Sequence, residues 1–153
     1  MPDWSKLGKS SRRRGCAFER MVARKLTQLT GITWLRTPMS GGHGIKGDVY
    51  VKPVTKDLIE ADPAGWDGIT VYCRTQRNIS WEKFFDGKGD LIKWMKETGE
   101  DSLWVFRTKP GCLFFMCHSK YIGPGFMGDP MLRNGAVVVL PLSYLGKGLN
   151  FNP

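Results

Sequence analysis

The sequence predicts an α/β fold with a single central mixed β-sheet flanked by helices. Two observations carry this. The elements run helix, three strands, helix, two strands, loop, strand, an order that one sheet covered by helices satisfies most simply. The chain has 153 residues, 41% of them hydrophobic, which fits one ordinary globular domain.

Residues 1–14 are polar and basic without periodicity and are expected to form a flexible basic arm ahead of a single domain, 15–153. From Gly15 to Thr30 the apolar residues Phe18, Val22, Leu26 and Leu29 recur at helical spacing. Gly31 is a natural helix stop. Ile32–Thr37 is rich in β-branched and aromatic residues and reads as a strand ended by Pro38. Ser40–Gly47 is a glycine-rich loop. Gly47–Val51 is the second strand, closed by Pro53. Residues 53–67 make an excursion with turn chemistry at Asp62-Pro63 and Asp67-Gly68. Ile69–Thr75 is the third strand.

Ser80 reads as an N-cap with Glu82 in the first helical turn. Trp81, Phe84, Phe85, Leu91, Ile92 and Met95 supply an apolar face. Asp86-Gly-Lys-Gly-Asp90 is expected to bend or split this helix, since each interior glycine costs about 1 kcal/mol. Ser102–Arg107 and Cys112–Cys117 flank Lys109-Pro-Gly111 and read as a β-hairpin. Its aromatic residues Trp104, Phe106, Phe114 and Phe115 suit a core or a dimer interface. Tyr121–Gly135 reads as a long loop, Ala136–Leu140 as a short buried strand, and Pro141–Leu145 as a last helical turn.

Charge narrows the partner. The net charge is +9, and residues 1–25 hold eight basic residues against Asp3 and Glu19, a net +6. Clustered cations of this kind favour a polyanion, because each phosphate neutralised releases counterions. Nucleic acid is therefore the expected partner, with Arg12, Arg13 and Arg14 foremost. No apolar run approaches the ~18 residues of a membrane helix, and the N-terminus lacks a signal peptide's apolar core. No membrane partner is expected. The expected location is the cytoplasm of a cell, or of an infected host cell. Cys16, Cys73, Cys112 and Cys117 form no CxxC pair. Cys112, Cys117 and His118 lack a fourth metal ligand, so reduced, mostly buried thiols are expected.

The stretch Ser40-Gly-Gly-His-Gly-Ile-Lys-Gly-Asp-Val-Tyr-Val51 draws the chemistry together. Asp48 opens a strand there. Metal-assisted phosphodiester hydrolysis needs a few carboxylates on one or two Mg²⁺ ions, often with a lysine near the attacking water. The simplest scaffold puts one acid on a strand and Glu-x-Lys on its neighbour, because residues two apart leave the same strand face. Asp48 supplies the first acid. The neighbouring strand supplies Tyr72-Cys73-Arg74. Glu19 lies beside the helix's apolar stripe; it can face a site at the edge of the core or pair with a nearby Arg or Lys. In the loop, His43 can contact phosphate, assist a water or have no role, and Lys46 contacts backbone phosphate in preference to acting as the scaffold's lysine; Arg77 extends the basic surface or is simply solvated. Gln76 leaves the same strand face as Arg74 and either lines the site or ends the strand.

The succession of helix glutamate, Ser-Gly-Gly, Gly-Asp-Val, Val-x-Cys-x-Thr-Gln, amphipathic helix and hairpin resembles the PD-(D/E)xK nuclease superfamily over about residues 12–118. Within it the likeness is greatest to archaeal and phage Holliday junction resolvases. The resemblance implies a restriction-endonuclease-like fold, a homodimer, and Mg²⁺- or Mn²⁺-dependent cleavage of branched DNA. It matches Glu19, Ser40 and Asp48 to catalytic positions, and puts Tyr72 where the second acid and Arg74 where the lysine belong. It implies a metal held by Glu19 and Asp48, with the Cys73 carbonyl as a third ligand. The two departures open an alternative: a nuclease-like protein, of phage origin, that binds DNA or another partner without cutting. A phenol near pKa 10 is a poor Mg²⁺ ligand, and a guanidinium suits a phosphate rather than the activation of a water.

Overall fold

The computed structural model describes residues 4–37, 47–51, 69–76, 78–108, 111–122 and 132–145. It opens with helix α1, Trp4–Thr30. The helix thus begins eleven residues before Gly15, and residues 4–14 are helical rather than a flexible arm. Lys and Arg lose little rotamer freedom in a helix, so this basic run extends the helix that the apolar residues further along hold in place.

Strands β1 (Trp34–Arg36), β2 (Val49–Val51) and β3 (Thr70–Thr75) follow, then helices α2 (Trp81–Phe85) and α3 (Asp90–Thr98). Strands β4 (Ser102–Arg107) and β5 (Leu113–His118) form the hairpin. A 3₁₀ turn at Ser119–Tyr121 precedes β6 (Leu132–Asn134) and β7 (Val137–Pro141), and a second 3₁₀ turn, Leu142–Tyr144, comes last. The strands make one seven-stranded sheet in the order β1-β2-β3-β4-β5-β7-β6. β3 and β4 are parallel, with Tyr72 opposite Trp104 and Arg74 opposite Phe106. The remaining neighbours are antiparallel. The sheet is mixed and carries helices on both faces, as expected. No described helix is long and apolar enough to cross a membrane.

Local chemistry explains the elements. The Ser80 hydroxyl accepts from the Lys83 N–H at 3.3 Å and caps α2. Gly87 and Gly89, at φ +72° and +89°, separate α2 from α3, so the Asp86–Asp90 segment splits the helix. β6 lies inside the stretch expected as a long loop. It forms a hairpin with β7 across the two-residue loop Gly135-Ala136, with Gly135 at φ +55°, a first loop position at which tight hairpins favour glycine.

β4 separates two cores. Leu103 and Val105 meet Phe18, Val22 and Leu26 of α1. Trp104 and Phe106 meet Phe84, Leu91 and Trp94 on the other face. Residues 102–106 are buried throughout, as a strand covered on both faces should be. Of the aromatic hairpin, Trp104, Phe106 and Phe115 are buried, and Phe114 packs against the second core.

Candidate active site

Glu19, Asp48 and Cys73 gather where β1, β2 and β3 meet α1. Gly47 turns the chain into β2 with φ +86°. This seats Asp48 against β3: the Asp48 N–H donates to the Val71 carbonyl at 2.8 Å, and the Asp48 carbonyl accepts from the Thr37 N–H at 2.9 Å. The carboxylate Oδ2 then accepts from the Cys73 N–H at 2.7 Å. Asp48 is thus bonded to β3 through backbone and side chain. It meets the N–H of Cys73, whereas the expected metal ligand was that residue's carbonyl. Burial holds the Asp48 carboxyl above its ordinary range, opposed by the Cys73 N–H and then by the charges of Arg74 and Arg36.

Glu19 points from α1 toward β1. Its Oε2 sits 2.5 Å from Nε of Arg36, and Nη2 of the same guanidinium donates to Cys16 Sγ at 2.9 Å. Sequence reasoning passed over Arg36. Strand alternation could have found it: Arg36 lies two residues after the buried Trp34 and so on the same face. An inward-facing arginine needs an acid to compensate its burial. Glu19 and Asp48 do converge on β3. Burial pushes the Cys73 thiol well above its ordinary range, and the negative charges of Asp48 and Glu19 push it further.

Tyr72 and Arg74 leave β3 on the face covered by α3. The Tyr72 ring stacks on Trp104 with centroids 4.8 Å apart and planes 20° apart. Cζ of Arg74 lies 5.2 Å from the Trp94 ring centroid. Trp94 and Trp104 stack on each other at 4.9 Å. The two residues standing for acid and lysine are thus joined to an aromatic column. Burial, and then the charge of Asp48, raise the Tyr72 phenol, so it stays protonated at neutral pH. Gln76 turns elsewhere: its Nε2 donates to Asp90 Oδ2 at 2.9 Å, at the start of α3.

A Mg²⁺ or Mn²⁺ site on Glu19, Asp48 and Cys73 does not fit this donor set. The Glu19 carboxylate is engaged by a guanidinium and that of Asp48 by a backbone N–H. Tyr72 is a neutral phenol on an indole. Among the described residues no group of three or more His, Cys, Asp or Glu side chains is placed to hold a metal. The four cysteines are free thiols. Burial raises Cys117 to about 12, while Cys112 is exposed, against the expectation of mostly buried thiols. Arg12, Arg13 and Arg14 are exposed on α1. Ser40, His43, Lys46 and Arg77 lie outside the described residues.

Residues 10–118 match the family described as "Phage putative PDDEXK endonuclease", a span from α1 to β5 that holds every candidate named above. Protein D14 of Escherichia phage T5 is 29% identical over 133 residues, covering 81% of this chain and 76% of that protein. No solved structure matches.

Proposed function

Because the chain belongs to this phage PD-(D/E)xK endonuclease family, we propose that it binds DNA, duplex or branched, at the Asp48 corner and along basic α1, and cuts it slowly or not at all. Nucleases of this family generally use divalent metals. One observation carries the departure from cleavage: the Glu-x-Lys positions hold Tyr72, stacked on Trp104, and Arg74, over Trp94. Neither group can supply a metal-binding carboxylate or a neutral amine beside a water. The net charge of +9 and the arginines around Asp48 support retention of the phosphate backbone. A homodimer, addressing both strands of a four-way junction, belongs to the same proposal.

A second possibility is an active Mg²⁺-dependent endonuclease of the junction-resolving type. It is favoured by the presence of both Glu19 and Asp48 close to Cys73.

A labelled four-way junction and a linear duplex, incubated with Mg²⁺, Mn²⁺ or EDTA, separate the two. The expected result is binding that weakens as salt rises, with a log–log slope of about −0.9 per phosphate contact, and no metal-dependent nick. Rapid metal-dependent nicking that disappears in Asp48→Ala would establish the endonuclease. No binding at ~0.1 M salt, where screening is still moderate, would refute both. Light scattering of the free protein and of the complex tests the dimer.

A further inference from the structure

Positive charge already occupies the corner where the family's chemistry would bring a cation. The Arg36 guanidinium is held at two points, by Glu19 Oε2 at 2.5 Å and Cys16 Sγ at 2.9 Å. Its side chain is 23% exposed and that of Glu19 14%, so the pair is shielded from water yet not sealed. Nη1 of Arg36 has no hydrogen-bond partner among the described residues. On the other side of Asp48, Arg74 directly follows the residue whose N–H binds the carboxylate. It rests on Trp94 and has no hydrogen-bond partner among the described residues. Both guanidiniums act on the Asp48 carboxylate. Planar guanidinium forks match phosphate oxygens in pairs.

We propose that Arg36, on the α1 face of the sheet, and Arg74, on the α3 face, stand in for the divalent cation at Glu19 and Asp48, so that the phosphodiester backbone is received at this corner by one guanidinium on each side and no metal. The phosphodiester half rests on the DNA binding proposed above. The exclusion of metal rests on the carboxylate partners alone. Covalently held charge is always present, so engagement of DNA here is independent of the metal supply.

Two measurements test this. Mn²⁺ is titrated into the free protein and followed by water-proton relaxation. Wild type is expected to show no specific binding. Arg36→Met, which frees Glu19, is expected to gain a site that a further Asp48→Asn change removes. Fluorescence anisotropy of a labelled duplex then compares Mg²⁺ with EDTA. Affinity should agree within about twofold. Arg36→Met and Arg74→Gln should each weaken binding about tenfold and lower the salt slope by about one phosphate. Wild-type Mn²⁺ binding that Asp48→Asn abolishes would overturn the inference and leave DNA binding standing. So would a tenfold or so weaker affinity in EDTA. A wild type that binds no DNA overturns the proposed function and the phosphodiester half with it, while the Mn²⁺ titration still decides metal exclusion. The wild-type titration and the EDTA comparison need no variant, so misfolding of Arg36→Met would not rescue the idea.

Discussion

Replacing Gly47 by alanine probes how closely the Asp48 corner is built. At φ +86° a Cβ would stand 2.5 Å from the Val71 carbonyl oxygen and 2.9 Å from Thr70 Cγ2. That same oxygen accepts the Asp48 N–H at 2.8 Å, so the collision falls on the bond that seats the carboxylate. The left-handed conformation costs a non-glycine residue about 1 kcal/mol. Forcing a methyl into packed backbone costs about 1–3 kcal/mol, and a lost backbone hydrogen bond about 1 kcal/mol. One strand shift both relieves the clash and stretches the bond, so these costs overlap. Their combined effect is about 3 kcal/mol, which lowers Tm by roughly 6–12 °C in a chain of this size. Urea and thermal unfolding followed by circular dichroism measure it. Gly31→Ala is the control: its φ is +74°, yet nothing lies within 4 Å of the added Cβ, so only the backbone cost of about 1 kcal/mol applies. If Gly47→Ala loses no more than Gly31→Ala, the contact with Val71 is not tight, and the seating of Asp48 on β3 is refuted.

Asp48→Asn bears on the electrostatics. Burial raises the Asp48 carboxyl in the fold, so the native state holds its proton to higher pH than the unfolded chain does. Stability therefore falls as pH rises from the unfolded value of about 4 through the raised native value. The amide keeps an acceptor for the Cys73 N–H and cannot ionise. The variant should melt above wild type at neutral pH, with the gain vanishing in acid; a gain confined to acid would contradict the sign. At Tyr72 the ring carries the contact. Tyr72→Phe keeps the stack on Trp104 and should stay within ~0.5 kcal/mol of wild type. Tyr72→Glu loses it and sets a carboxylate near Asp48, and should be about 1–2 kcal/mol less stable. Equal urea midpoints for the two variants would show that the stack contributes nothing.

The sheet was legible where local signals agree. Ser102–Arg107 is a β-rich run beside a turn dipeptide, and it forms β4. Two glycines between apolar segments mark the break between α2 and α3. The first half of α1 was not legible, because its polar and basic run shows no apolar period; it continues from the packed half, whose nucleation cost is already met. β6 was lost because three residues in a glycine-rich stretch give too short a pattern, though Gly135 marked the turn. At the site, Gly47-Asp48 stood out because the pair is local. The partners of Tyr72 and Arg74 are Trp104 and Trp94, twenty or more residues along the chain; the parallel pairing of β3 with β4 brings up the first and the packing of α3 on that face the second. Arg36 was overlooked, since its significance depends on Glu19 on another element. Gln76 was placed by strand parity, but its hydrogen bond to Asp90 depends on where α3 begins.

Among the described side chains of α1 the buried positions start at Phe18, and residues 8, 9 and 11–15 are all exposed. The stretch from Trp4 to Ala17 is about 21 Å long at 1.5 Å per residue. Consecutive helical residues are rotated by about 100°, so Arg12, Arg13 and Arg14 point in three directions around this rod. At physiological salt a charge is felt over about 8 Å. Arg12, Arg13 and Arg14 stand four to six residues before Phe18, about 6–9 Å at the helical rise and about one such length, so in the proposed DNA complex they would reach phosphates just beyond those the charges around Asp48 attract. Because they point all round, they would capture DNA, if it binds as proposed, without choosing an orientation. In that proposal α1 sets the capture radius of the molecule, and the alignment of a bound strand is left to the fixed geometry at Asp48.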